Sequence, residues 1–401
     1  SGLIALSLRR QLLMSFGVQG AGAASVLLAT VWLGAAAGPE QQGAFNRTKA
    51  EIEFVAALAL LGLPQALFYY VQSGGLSMQR ALRWAAASVA LALGAGAAYA
   101  LLQRASAVAA VWMALAVAAC VCHGQLRAMI LVGERTAWFN IVTALPQVLV
   151  LAAVCLFIAG NGHLPLPWPA MFLFAFGATA MLAAWRLHVT RVAPGPSIAS
   201  WRSLTHYGLG AWLLAVLSTG AMLLMQRWVE ARAGAAALGQ FTLAMTLVLV
   251  PLVPIAYAAP LLFRRWMTQT DSLAHQRWAA GLCSALLVVA IAVWAGADTW
   301  PDLGLGAAYE GTTRVLAVLL GGAAAEAALR LLAVQACARG QPWIPVRAEF
   351  FRGAVLLVGW WLPLPPGLLP LCVIWSLGCW AAAAALLWPG RSRGQAQRAG
   401  A

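Results

Sequence analysis

Charged side chains are scarce in this chain of 401 residues: 9% are Asp, Glu, Lys or Arg, against 63% apolar. A soluble domain carries about a quarter charged and about half apolar residues, so that class is excluded. Lysine is almost missing, with Lys49 alone beside 24 arginines. The five histidines, His123, His163, His188, His206 and His275, form no cluster with acids. That argues against an intramembrane glycan polymerase, ligase or acyltransferase, which would carry a His/Asp pair or a sizeable outer loop. Long polar connections are also lacking, which leaves no room for a soluble catalytic domain, and no nucleotide-binding motif occurs. The short alternating strands of a membrane barrel are absent. What remains is apolar runs of roughly 20 residues, repeated along the chain, which is the pattern of a polytopic helical membrane protein.

Seven cysteines lie in or beside these runs. Cys120 and Cys122 are two apart and cannot share a helix face. His123 shares a face with Cys120, but two ligands do not make a metal site, so no metal and no cofactor is expected. The net charge of +14 belongs to residues between apolar runs, which reads as topology and not as nucleic-acid binding. The run from Leu12 to Leu33 is too long for a signal-peptide core of about 7–15 residues and reads as the first membrane helix. The chain begins at Ser1, which leaves room for native residues before it.

Twelve spans follow: Leu12–Leu33, Ala44–Val71, Ala81–Leu102, Ala107–Val132, Trp138–Ile158, Pro167–His188, His206–Val229, Ala236–Phe263, Ala274–Ala295, Gly311–Ala338, Pro345–Leu362 and Gly367–Trp388. Eighteen of the 25 basic residues then fall on one side: Arg9, Arg10, Arg80, Arg83, Arg127, Arg135, Arg186, Arg191, Arg202, Arg264, Arg265, Arg277, Arg339, Arg347, Arg352, Arg391, Arg393 and Arg398. Arg104, Arg227 and Arg232 fall on the other. The positive-inside rule places both termini in the cytoplasm.

The stretch Arg191 to Leu204, "RVAPGPSIASWRSL", is the one linker-like segment in mid-chain. It divides the chain into an N-terminal half of six helices (1–192), a linker (193–204) and a C-terminal half of six helices with a short basic tail (205–401). The halves echo each other. Gly43-Ala44-Phe45 opens helix 2 with Pro64 21 residues on, and Gly239-Gln240-Phe241 opens helix 8 with Pro260 21 residues on. The turn Gly133-Glu134-Arg135 matches Gly340-Gln341-Pro342. Six plus six makes these parallel repeats about an axis near the membrane normal.

Several of these residues also carry a family likeness. Leu33-Gly34, Gly38-Pro39-Glu40, Gly43-Ala44-Phe45 and Leu61-Gly62-Leu63 resemble the helix 1–2 region of the polysaccharide flippases, in the superfamily that also holds the multidrug-and-toxin exporters. "YGLGAWLL" at Tyr207, "LGQFTLA" at Leu238 and "GAAYEG" at Gly306 resemble that family's helix 7, helix 8 and pre-helix 10 segments. The resemblance implies an all-α membrane protein like the multidrug-and-toxin exporters: two pseudo-symmetric six-helix bundles around a cavity that opens alternately to each side. It implies a flippase in the bacterial cytoplasmic (inner) membrane, not an enzyme. Its cargo would be an undecaprenyl-pyrophosphate-linked oligosaccharide, an O-antigen or exopolysaccharide repeat unit, moved to the outer leaflet. Partners would be membrane lipids and polysaccharide polymerase and export machinery, with the protein a monomer. No run after helix 12 matches the two additional helices of some relatives.

A pyrophosphate needs cations in a wet cavity, because an uncompensated charge in hydrocarbon carries a large desolvation cost. Guanidinium suits phosphate oxygens through its parallel donors. Arg47 and Glu51 are four apart, as are Lys49 and Glu53, so each pair meets on a helix. The cavity reading puts both pairs on its wall. The plain alternative leaves them in outer-surface water as ordinary helix ion pairs. Glu326 and Arg330 are one turn apart in helix 10, and Arg330 lies roughly 13 Å before Arg339, too deep to reach the surface easily. The plain alternative there is a structural pair neutralising itself. Arg314 near the start of helix 10, Arg227 at the end of helix 7 and Gln19 in helix 1 complete the candidates for binding cargo. Glu51, Glu53 and Glu326 would orient cations or take a proton. A drug or cation antiporter of the same superfamily is the main rival; such a pump needs a protonatable acid in helix 1 or the cavity, and helix 1 has none.

Overall fold

The computed structural model describes residues 2–72, 77–132, 136–160, 167–189, 201–266 and 273–387. Among them are twelve α-helices: α1 (Gly2–Leu60), α2 (Leu63–Gln72), α3 (Met78–Leu102), α4 (Ala107–Val132), α5 (Thr136–Ala159), α6 (Trp168–Val189), α7 (Trp201–Ala233), α8 (Ala235–Trp266), α9 (Leu273–Ala295), α10 (Thr312–Ala338), α11 (Trp343–Trp361) and α12 (Leu368–Leu387). A single 3₁₀ turn, Ala307–Tyr309, precedes α10. Ten helices are long and apolar enough to cross a membrane, and the stretch Leu13–Leu60 in α1 has 48 residues, enough for two passes. The bundle exterior is rich in exposed apolar side chains, with Trp361 84% and Leu102 80% exposed, a surface suited to lipid.

The expected first and second helices meet at one residue, with no connecting loop. Gly38 adopts φ 82° and ψ 170°, which ends one arm of α1, and Pro39 starts the next. Glycine tolerates positive φ, and proline fits a first helical turn whose N–H has no partner. The second membrane helix, expected unbroken to Val71, breaks at Leu61 (φ 50°) and Gly62 (φ 67°) before α2. Gly62 is needed there: a Cβ would strike the Gly208 carbonyl of α7. The turn at 133–135 and residues 190–200 of the interhelical stretch lie outside the described residues; Trp201 to Leu204 already belong to α7.

Two large hydrophobic cores form among the described residues, beside four smaller clusters. One draws on Leu33, Phe45, Ile52, Val117 and Phe172 from the first six helices. The other draws on Met225, Phe241, Leu319, Ala324 and Cys372 from the last six. Between them, α1 packs on α7 and α8, and α2 on α7. The two echoed motifs face each other across this seam: a Cβ on Gly43 would sit 3.0 Å from the Gly239 nitrogen. Equivalent residues meet in this way close to a twofold axis. At the far end, the stacked rings of Tyr69 and Tyr207 (4.7 Å) and the bond from Trp212 Nε1 to the Leu58 carbonyl (3.0 Å) continue the seam.

Two adjoining chambers on the second arm of α1

The second arm of α1 carries Arg47, Lys49, Glu51 and Glu53 in alternation. Residues two apart on a helix differ by about 200° in direction, so the two ion pairs face opposite ways. Lys49 and Glu53, 3.8 Å apart, line two adjoining chambers that meet on this face of the arm.

The first chamber, of about 230 Å³, lies against the C-terminal half. Its polar wall includes Asn46, Lys49 and Glu53 of α1, Ser218, Thr219 and Gln226 of α7, Thr242 and Thr246 of α8, Glu326 and Arg330 of α10, and Arg352 of α11. Glu326 sits in the middle of α10 and accepts from Arg330 Nε at 2.8 Å and from Arg352. Arg352 also pairs with Glu349 at 3.3 Å and lies over the Trp375 ring, 5.5 Å from its centre. The Arg352 side chain is 2% exposed, that of Arg330 38%. The positioning follows from helix spacing: Glu326–Arg330 is an i,i+4 pair, Glu349–Arg352 an i,i+3 pair, and Gly378 of α12 leaves room for the Arg352 stem. Glu326 is therefore shared by two guanidinium groups, while the terminal nitrogens of Arg330 make no hydrogen bond among the described residues.

The second chamber, of about 360 Å³, lies within the N-terminal half. It shares Asn46, Lys49, Glu53 and Thr219 with the first. Its own wall includes His123 and Arg127 of α4, Thr143 and Gln147 of α5, and Phe176 of α6. His123 Nε2 lies 2.9 Å from the Val142 carbonyl. A carbonyl only accepts, so Nε2 carries the proton and Nδ1 of a neutral ring is left as an acceptor.

Arg47 and Glu51 point instead into the seam. Arg47 bonds Glu230 of α7 and stands 3.8 Å from Glu51. Arg227 of α7 returns the contact, donating to Glu51 at 2.5 Å and to Gln103 at 3.3 Å. Each half thus holds one acid and one cation of a reciprocal latch. Each acid also has a cation within a turn on its own helix, Arg47–Glu51 on α1 and, by i,i+3 spacing, Arg227–Glu230 on α7.

Solved structures share the fold. A MATE protein in the straight conformation matches with a TM-score of 0.61 at 18% identity, over 97% of this chain and 96% of that one. An inward-facing multidrug resistance MATE family transporter of the MOP superfamily matches at 0.64 and 16%, over 94% and 96%. A mutant MATE transporter of Vibrio cholerae matches at 0.62 and 16%, over 98% of each chain. No family model and no curated protein matches. The chain has the MATE fold.

Within the MATE fold, the sequence candidates separate into three groups. Lys49, Glu53, Glu326 and Arg330 meet at the chambers. The expectation that both α1 pairs share the cavity wall is corrected: Arg47 and Glu51, with Arg227, form the latch and line neither chamber. Two more lie elsewhere. Gln19, 2% exposed, donates to Asn140 at 2.5 Å beside Ser15 and ties α1 to α5. Arg314 pairs with Asp298 at 2.5 Å on the surface, with side chains 55% and 83% exposed. Arg352, on the wall of the first chamber, and its partner Glu349 were not among the sequence candidates. Arg352 was assigned to the basic side beside α10, yet it lies inside the span Pro345–Leu362; its position mid-helix is the signal that places it deep.

Proposed function

We propose that this protein is an alternating-access membrane transporter whose cargo is a lipid-linked oligosaccharide diphosphate. The observation that carries this reading is the charge of the chamber walls. Lys49, Arg330 and Arg352 face Glu53 and Glu326 in the first chamber, and Lys49 and Arg127 face Glu53 in the second. Cations outnumber acids in both, and every one of those acids has a basic partner at 3.8 Å or less. A wall of this kind favours an anion and gives a hydrophobic cation no lone carboxylate to seek. The two terminal nitrogens of Arg330 suit phosphate oxygens, and Lys49, held only loosely by Glu53, approaches from the other half. A diphosphate held between them would draw the halves together, and the latch would break and re-form as the chambers change sides. The basic-residue asymmetry supports cytoplasmic termini. It also fits a bacterial cytoplasmic membrane.

A second reading, a drug or cation antiporter, is favoured by the likeness to a multidrug resistance transporter. Cellular export separates the two. Arg330→Gln and Lys49→Gln should each reduce surface polysaccharide at least about tenfold, the effect of losing one charge-assisted bond of roughly 1.5–3 kcal/mol, and should build up lipid-linked intermediate on the cytoplasmic leaflet. The protein should remain in the membrane at normal amounts. Unchanged export from both variants would count against the anionic cargo.

A further inference from the structure

We infer that the chamber in the N-terminal half is a saccharide subsite, which receives the sugar ring next to the diphosphate while Lys49 and Arg330 hold the phosphates. This rests on the anionic-lipid reading and adds to it a division of labour between the two chambers.

Size separates them first. At about 360 Å³ the second chamber falls within the roughly 300–1,000 Å³ of small-molecule sites, and at about 230 Å³ the first falls below it. The first suits a compact headgroup. Their shared wall, Asn46, Lys49 and Glu53, puts Lys49 where one covalently linked ligand passes from one to the other.

Chemistry separates them next. A sugar ring offers hydroxyls that both donate and accept, and an apolar face of C–H bonds. The second chamber answers each. Arg127 donates, the free Nδ1 of His123 accepts, and Phe176, only partly buried, sets an apolar ring beside them, 5.4 Å from the imidazole. Gln147 adds an amide whose oxygen is buried near Gly22 without a hydrogen-bond partner. An orphaned buried polar atom costs about 1–3 kcal/mol, and a ligand hydroxyl in the adjoining chamber would satisfy the amide once it turns away from Gly22. With Arg127 and Lys49 facing only Glu53, the chamber disfavours a cationic guest.

The test is binding to purified protein in lipid nanodiscs, with undecaprenyl diphosphate and its N-acetylglucosamine-bearing form as the two probes. Wild type should bind the sugar-bearing lipid about tenfold tighter, the size of one or two well-placed hydrogen bonds. Gln147→Leu removes an amide whose oxygen is unpaired, so the fold should tolerate it. It should reduce the preference to within about twofold while leaving affinity for the sugarless lipid intact. His123→Phe should act in the same direction. Equal binding of the two lipids by wild type, or equal weakening of both by Gln147→Leu, overturns the subsite and leaves the anionic-lipid reading standing. Failure to bind either lipid overturns both.

Discussion

Glu326→Ala is expected to destabilise the protein by about 3–5 kcal/mol, the cost of removing one partner from a buried ion pair. Glu326 is the acid that Arg330 and Arg352 share, and the Arg352 side chain is 2% exposed. Without it Arg352 keeps only Glu349, at 3.3 Å. The expected readout is a large drop in melting temperature in detergent and a fall in membrane-inserted protein. Combining Glu326→Ala with Arg352→Met should recover part of that loss, because Arg352 is no longer a buried cation short of acids, while Glu349, with a 5% exposed side chain, loses its partner at 3.3 Å. The double variant should still lose export. A Glu326→Ala protein that melts like wild type would show that the cluster does not carry the stability assigned to it. Export by the double variant would remove the cluster from the transport path.

Gly62→Ala should be nearly as damaging, for a backbone reason. Gly62 has φ 67°, and its Cα abuts the Gly208 carbonyl of α7 across the seam. A side chain at positive φ costs about 1–2 kcal/mol, and the overpacking adds about 1–3 kcal/mol. The seam should open at the Tyr69–Tyr207 end, with lowered thermal stability and lost export. Gly17→Ala is the control. It lies within α1 with no atom near the position a Cβ would take, so alanine there should be neutral or slightly stabilising. Equal melting temperatures for the two variants would remove the case for a tight seam at Gly62.

Much of this architecture was readable from the chain. The apolar runs located the helices, and the distance between Arg330 and Arg339 marked Arg330 as deep. The echoed Gly43 and Gly239 motifs turned out to meet. The chamber residues were only partly readable, for three physical reasons. Helix periodicity separates Arg47 and Glu51 from Lys49 and Glu53, but it does not say which face meets the other half; that is set by packing against α7. Arg352 was read as a topology signal because a basic residue near a loop and one in mid-helix look alike until the helix is placed. Gln19 and its partner Asn140 are 121 residues apart, and no local pattern links a buried amide to so distant an acceptor. The Gly38 break was masked because glycine and proline there suit a loop as well as a sharp helix junction.

The central claim is that the chambers select an anionic lipid. It is tested most directly in proteoliposomes of purified protein, by following leaflet exchange of a fluorescent undecaprenyl-diphosphate saccharide and uptake of a lipophilic cationic dye in parallel. The expected result is exchange of the lipid, inhibition by excess inorganic pyrophosphate, loss of exchange in Arg330→Gln, and no dye transport. Dye transport driven by an ion gradient, with the lipid left in its original leaflet, would contradict it.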